Sequence, residues 1–496
     1  MNPNDVLITF PELLIWFPML SGLVAFFLTK GDTAKRWAVI SSFITVAIVA
    51  ASFFFTDKDY FHFNNVSYVW MPSIGSSFAL MYDGMGRMLC LLTALAFPLA
   101  FLATYNTNYS KPNNFYGLML LSQTGLMGVF CAMDALVFYF FWELAIIPIY
   151  FLASQWGGEK RIQATFKFFV YTFAASLLLM VGIIYVYLHT PDSSFALSSF
   201  LKAKLPAGGE KLVFWMFLAA FAVKMPLFPF HTWQPDTYEQ SAAPVTMILS
   251  GVMVKMGVFA LIRWLIPVFP YATGLFTNIV IGLSVAGMVY ASCIAWVQDD
   301  LKRLVAYSSI VHVGLMCAAI FARNQSGTEG VMLQMFNHGI NIIGLWIVVE
   351  LIEKHFGTRK ISQLGGIAAS SPVLTVFLVI IALANIALPL TNAFVGEFLM
   401  FNGLFQYGKW TTAIALTTII LSAVYTLNMV QKVFYGNTNS LTASGAGMVK
   451  RSPAAALTIV VIIILLLGVY PKLLLDLTKD TVNVFMNRVM ECEGGK

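Results

Sequence analysis

Residues 212–231 read Leu-Val-Phe-Trp-Met-Phe-Leu-Ala-Ala-Phe-Ala-Val-Lys224-Met-Pro226-Leu-Phe-Pro229-Phe-His231. An unbroken apolar run carries a lysine, and two prolines follow it. At 1.5 Å per residue the lysine lies roughly 18 Å into a helix, too deep for its ammonium to reach water easily. A charge at the bilayer centre costs at least about 2.5–3.5 kcal/mol, so it has a partner, water or a function. Pro226 and Pro229 each remove a helical N–H. The carbonyls they free persist in a membrane only where they face protein or a wet cavity. The stretch therefore predicts a broken membrane helix with a buried cation beside the break. An ordinary proline kink is the competing reading.

The composition agrees. Of 496 residues, 59% are of the AVILMFWYC type and 10% are Asp, Glu, Lys or Arg, and the mean hydropathy is +0.79. A water-exposed surface needs far more charge, and a disordered chain cannot be this apolar. The chain is therefore an integral membrane protein whose first partner is the lipid bilayer. A net charge of +6 without a basic soluble face gives no support for nucleic-acid binding. Cys90, Cys131, Cys293, Cys317 and Cys492 are scattered, which suggests no zinc, iron–sulfur or disulfide framework. The first apolar run lacks a basic leader and reads as a permanent helix. There is no phosphate loop, no dinucleotide fingerprint and no strand pattern. Redox chemistry would thus need a partner polypeptide.

Fourteen stretches reach the length and apolarity of a membrane span. They cover 6–29, 37–56, 84–105, 115–133, 135–154, 165–188, 212–231, 243–264, 270–297, 304–322, 330–352, 373–402, 411–431 and 453–475. The segment 57–82 is too polar to span and reads as an interfacial loop with aromatic anchors such as Trp70. Lys and Arg crowd the loops opposite the termini, at Lys30, Lys35, Arg36, Lys111, Lys160, Arg161, Lys302, Arg303, Arg359 and Lys360 among others. Positive residues stay in the cytoplasm, which places both termini outside it. The basic segment 190–211 runs against that bias.

One repeat is visible. Residues 384–397, Ala-Asn-Ile-Ala-Leu-Pro-Leu-Thr-Asn-Ala-Phe-Val-Gly-Glu, echo 221–231 five spans later. An odd number of crossings inverts the second copy, and paired broken helices in inverted repeats point to a transport site. The expected architecture is all-α: N-terminal helices in 1–110, a first five-helix repeat in 111–265, an inverted second in 266–435, and a last helix with its tail in 436–496. Chance likeness between two proline-containing helices is the alternative.

Four charges lie well inside spans: Glu143, Lys224, Lys255 and Glu397. A Glu beside a Lys keeps both charged, whereas separation and burial favour the neutral form of each. Such groups can hold or release protons, as a relay requires. Static pairs that only fix helix packing are the competing reading. His312 and His338 lie within spans ten and eleven, with Asn341 on the face of His338, and each is weighed equally as relay or packing residue. His62, His189, His231 and His355 receive no role. Asp134 and Arg87 read as interfacial, and Asn385 as a group able to satisfy a carbonyl freed by Pro389.

The motifs resemble those of the antiporter-like membrane subunits of respiratory complex I, NADH:quinone oxidoreductase, and of the related Mrp-type antiporters. The matching runs are Ala-Val-Lys224-Met-Pro-Leu-Phe-Pro-Phe-His231-Thr-Trp-Gln-Pro-Asp236, Met-Ile-Leu-Ser-Gly-Val-Met-Val-Lys255, Phe-Phe-Trp-Glu143-Leu, Ala-Tyr-Ser-Ser-Ile-Val-His312, Phe-Asn-His338-Gly and Gly-Glu397-Phe. They span nearly the whole chain in the family's order. Glu397 points to the M-type subunit, chain 4, because L-type, N-type and Mrp proteins usually carry Lys there. The chain also lacks the long C-terminal amphipathic helix that marks the L-type. Gln234 and Thr237-Tyr238-Glu239 depart from the family pattern, at what reads as a loop after span seven.

The resemblance implies a proton-translocating subunit in a bacterial inner membrane, with L-type and N-type subunits as neighbours. It implies no cofactor in this chain, with NADH, FMN, iron–sulfur clusters and quinone held by partner subunits. By the same carry-over Glu143 pairs with Lys224, Lys255 and His312 link the two halves, Glu397 passes protons outward, and His338 contributes. An Mrp-like cation/proton antiporter and a non-conducting structural spacer are the alternatives.

Overall fold

Apolar runs form helices, and caps and prolines set their ends. The computed structural model describes residues 8–55, 61–444 and 447–494. Helix α1 (Phe10–Phe27) opens at Thr9, whose N–H and hydroxyl both donate to the Glu12 carboxylate, at 2.8 and 2.7 Å. Helix α2 (Gly31–Ser52) returns beside it.

A hairpin follows, β1 (Asn65–Met71) paired antiparallel with β2 (Ser76–Met81). Gly75 turns it at φ 68°, with a backbone oxygen of Ser193 only 2.0 Å from where a Cβ would stand. The hairpin corrects the expectation of a chain without strands. Val66, Tyr68, Val69 and Trp70 suit a pleated surface, but a strand of seven residues is too short to stand out among longer apolar runs. Tyr68, Val69 and Trp70 are exposed, as interfacial anchors are.

The first half of the bundle continues with α3 (Gly84–Ala103), α4 (Pro112–Cys131), α5 (Ala135–Gln155), α6 (Arg161–Tyr187), α7 (Ala207–Lys224), α8 (Trp233–Gln240) and α9 (Ala243–Val268). The second half contains α10 (Pro270–Trp296), α11 (Leu301–Phe321), α12 (Gln325–Phe356), α13 (Pro372–Asn385), α14 (Asn392–Tyr407) and α15 (Lys409–Phe434). Then come α16 (Arg451–Val469) and α17 (Lys472–Gly494). Among the described residues, eleven helices are long and apolar enough to cross a membrane. The chain is thus a multi-span helical membrane protein. The apolar spans of α9 and α11 are wholly buried and that of α12 almost so; these helices carry Lys255, His312 and His338.

The start of α1 and the middle of α17 both lie near the start of α3. The Phe10 ring packs on Phe55 at 5.5 Å, Arg87 donates to the Phe55 carbonyl at 3.3 Å, and Thr481 donates to Asp83 at 3.2 Å. Arg87 is buried and bonded there, not free at an interface. The tail expected after the last span is helix α17. It buries Leu474, Val482, Phe485, Met486 and Val489 and exposes Asp476, Lys479 and Asp480, a two-sided pattern too polar to register as a span.

The repeat is visible in the hydrogen bonds. Past α7, Met225 N donates to Phe221 O (2.8 Å), Leu227 N reaches back to Ala222 O (2.8 Å), and Phe230 N donates to Leu227 O (2.7 Å). Past α13, Ile386 N donates to Ala382 O (3.1 Å), Leu388 N to Leu383 O (3.0 Å), and Thr391 N to Leu388 O (3.0 Å). Helix starts correspond too. Asp134 caps α5 and bridges to Ala196, while Asp300 caps α11 and bridges to Lys360. Asp134 meets the hairpin through Ser76 and Ser77 at the terminal face, whereas Asp300 meets Arg359 at the opposite face. Asp134 is fully buried beneath the hairpin.

Candidate functional site

Lys255 is built into α9 just after a wider helical turn, Leu249–Met253. Such turns leave a carbonyl out of the regular ladder and recur at functional sites. Lys255 Nζ donates to the Ser250 carbonyl at 2.8 Å and to His338 Nδ1 at 2.8 Å. The His338 ring lies 5.3 Å from that of His312, centroid to centroid. His312 Nδ1 stands 2.9 Å from Glu397 Oε1, which also accepts from Gln334 Nε2 at 3.1 Å. All five side chains are buried. Four helices, α9, α12, α11 and α14, thus assemble one line of titratable groups.

With Lys255 charged and His338 neutral, Nδ1 of His338 accepts and its ring proton is on Nε2. With Glu397 ionised and His312 neutral, Nδ1 of His312 donates and its Nε2 is an acceptor. Both Nε2 atoms are buried without a hydrogen-bond partner. The bonds thus join Lys255 to His338 and His312 to Glu397, while the two rings face each other at 5.3 Å without a hydrogen bond between them among the described residues.

The other two sequence candidates lie apart from this line. Lys224 ends α7, and its Nζ has no hydrogen-bond partner among the described residues. It sits 5.9 Å from the ring centroids of both Trp142 and Phe168, where ring faces attract a cation. Glu143 is half-buried on α5 and accepts from Ser176, whose hydroxyl is 3.0 Å from that of Tyr139. Glu143 and Lys224 interact through space and not in contact, so the expected direct pairing is absent here. Helices α7 and α9 meet closely, since a Cβ on Gly257 would stand 2.7 Å from that of Met225.

Asn385 does not satisfy a freed carbonyl; its amide donates to Ser308 at 3.1 Å. Asn341 instead donates to the Ala384 carbonyl at 3.3 Å, and the Trp233 indole donates to the Val223 carbonyl at 2.9 Å. These two carbonyls occupy the same place in the two breaks. The segment after span seven is helix α8 and not a loop, and Glu239 belongs to an ion cluster. Arg303 binds Asp236 (3.1 Å) and Glu239 (3.0 Å), while Arg359 binds Glu239 (2.5 Å), Glu353 (3.0 Å) and Asp300. Burial opposes the Arg359 charge, but Asp300, Glu353 and Glu239 outweigh it and hold the guanidinium above its ordinary range. Gln334 and Ser176 are site residues that sequence reasoning missed. Gln334 stands one turn before His338, a same-face spacing that could have revealed it; Ser176 carries no such signal. Among the described residues no group of three or more His, Cys, Asp or Glu is placed to hold a metal ion.

The profile of the family described as "NADH:quinone oxidoreductase/Mrp antiporter, TM" matches residues 132–422, which contain every group of this line. The chain is 34% identical to NAD(P)H-quinone oxidoreductase chain 4 of Acaryochloris marina, over 96% of its own length and 91% of that protein. It is 35% identical to NADH-quinone oxidoreductase subunit M of Rhodobacter capsulatus, over 82% of each. Its fold superposes on a chain of respiratory complex I from Thermus thermophilus with a TM-score of 0.87 and 27% identity, covering 96% of this chain and 99% of that one. It shares the fold of a chain of the Mrp complex from Dietzia, with a TM-score of 0.84 and 18% identity over 97% and 98%. Charge line, paired breaks and likeness agree: the chain is an antiporter-like membrane subunit of the NADH:quinone oxidoreductase/Mrp antiporter family.

Proposed function

We propose that this chain translocates protons as the M-type membrane subunit of a bacterial NADH:quinone oxidoreductase, with L-type and N-type subunits beside it. The carrying observation is the buried file Lys255–His338–His312–Glu397, bonded at its two ends and with its two imidazole rings 5.3 Å apart in the middle. Static ion pairing needs one acid and one base in contact. Two neutral imidazoles between them, each with a free ring nitrogen, suit proton passage better than packing. NADH, FMN, iron–sulfur clusters and quinone belong to partner subunits in this reading, and quinone reduction there supplies the drive. This chain's share is to hold and move protons. Glu143 approaching Lys224 stabilises the ammonium; its withdrawal leaves an unpaired buried charge that gives up its proton. That proton moves to Lys255 on the adjoining helix, along the histidines, and to Glu397.

The reading includes fourteen crossings, with α4, α7 and the broken pair α13–α14 added to the eleven long apolar helices. It includes the inverted repeats 111–265 and 266–435, and both termini on the periplasmic side of the inner membrane. The test is Lys255→Met and Glu397→Gln in the assembled complex, reconstituted in vesicles and driven by NADH. Both variants are expected to lose most proton translocation while NADH oxidation by a soluble acceptor continues. Full translocation per NADH in both variants refutes the relay.

A further inference from the structure

Near the start of α3, the Cys90 sulfur lies 3.8 Å from that of Cys131, the last residue of α4. Both side chains are buried. The two positions are 41 residues apart in the chain, so no motif spacing announces them and the fold alone brings them together. The backbones close up at the same level: a Cβ on Gly86, one turn before Cys90, would stand 2.9 Å from the Phe130 carbonyl oxygen. Thiols that meet in this way have side chains pointing toward each other, which a disulfide requires.

The relay uses neither thiol. A single buried cysteine is a small core residue, and Cys317 is of that kind. A pair in contact differs. From 3.8 Å the sulfurs need approach by only about 1.8 Å to reach bonding distance, which side-chain rotation and a small slide of α3 on α4 supply. Cys131 lies under the hairpin, since its neighbour Ala132 is bridged to Leu80. The Tyr82 hydroxyl acts on both sulfurs through space and stands 3.4 Å from Ser52 Oγ. These hydroxyls give a transient thiolate polar company in an otherwise apolar wall.

We propose that Cys90 and Cys131 are a redox pair that closes to a reversible disulfide and fastens α3 to α4. The oxidant is a disulfide-bearing compound. One cysteine loses its proton and attacks a sulfur of that disulfide, forming a mixed disulfide and releasing one thiol of the oxidant. The second cysteine then displaces the other. Two protein thiols become one disulfide, and the oxidant's disulfide becomes two thiols that carry the two protons. Two residues past Cys90, Leu92 lies 2.7 Å from where a Cβ on Gly339 would stand, beside His338. The bond therefore ties a wall of the buried file to the helix end beneath the hairpin. The chemistry does not depend on the relay reading.

The test uses the assembled complex in its membrane, treated with dipyridyl disulfide, a small apolar oxidant that enters the bilayer. The reagent is raised until Cys293, which is exposed and free, carries its pyridyl adduct. Remaining thiols are blocked with N-ethylmaleimide, and the chain is cleaved after methionine without reductant. Met119 and Met127 lie between the two cysteines, so only a disulfide holds their peptides together. Mass spectrometry is expected to find these peptides joined, two hydrogens lighter than their sum. They should come apart after a phosphine reductant and stay separate in Cys131→Ser. With Cys293 modified, recovery of Cys90 and Cys131 on separate peptides overturns the proposal, whether the sulfurs carry maleimide or pyridyl groups. That outcome needs no variant, so it holds even if Cys131→Ser fails to assemble.

Discussion

The two breaks share a backbone and differ in what they do with it. Each ends a helix with the same run of hydrogen bonds, and in each a side chain donates to the carbonyl just before the helix end, the Trp233 indole to Val223 and the Asn341 amide to Ala384. At the helix end stands Lys224 in the first half and Asn385 in the second. Among the described residues Lys224 Nζ has no hydrogen-bond partner, whereas Asn385 is tied to Ser308. The acids differ likewise: Glu143 acts on Lys224 from a distance, while Glu397 bonds His312 directly. Groups in contact can pass a proton along. Groups held apart respond steeply to movement, because an unpaired buried charge is costly. We read the first half as the part that senses a change and the second as the part that conducts.

That contrast breaks most readily at the helix ends. Lys224→Met removes a titratable group, and NADH-driven proton translocation is expected to fall close to background. Asn385→Leu removes one amide bond to Ser308, worth about 1 kcal/mol, and translocation is expected to stay near that of the unsubstituted complex. Equal losses in the two variants would show that the breaks do the same work.

A smaller effect tests the separated pair. Glu143→Gln keeps the shape and the bond from Ser176 but removes the charge acting on Lys224, so translocation is expected to drop well below normal and remain above that of Lys224→Met. Ser176→Ala frees Glu143 to move without discharging it, and its effect should be smaller again. Vesicle assays of the same complex rank all three. A Ser176→Ala loss equal to that of Glu143→Gln would mean that the hydroxyl is itself a relay group.

Much of the site was legible because membrane burial makes charge conspicuous. Lys224, Lys255, Glu143 and Glu397 stand out against apolar neighbours, and proline locates both breaks. The partners of those charges were less legible. Gln334 and Ser176 are uncharged, and in a bundle of this composition a hydroxyl or amide within a span passes for helix packing. Asn385 was noticed for its distance from Pro389, but the donor to the broken turn comes from another helix, a long-range contact that no local spacing encodes. The hairpin and α17 were hidden differently: short strands and a two-sided helix have no long apolar run to mark them.

The smallest expected difference concerns stability at the repeated helix caps. Asp134 accepts from Leu136 N (2.9 Å), Val137 N (3.2 Å), Ser77 N (3.0 Å) and Ser76 Oγ (3.1 Å), and its own side chain is fully buried. Asp134→Ala orphans four donors, two of them in the hairpin, and should cost about 2–3 kcal/mol. Asp300 accepts from Lys302 N (2.9 Å) and Arg303 N (3.1 Å) and binds Arg359, with a side chain 19% exposed. In Asp300→Ala, water reaches the freed N–H groups and Arg359 keeps Glu239 and Glu353, so the cost should be about 1 kcal/mol. Thermal release of this chain from the purified complex measures both. Asp134→Ala should release at the lower temperature. The reverse order would mean that the ion cluster on the charged face, and not the buried cap beneath the hairpin, is the firmer of the two anchors.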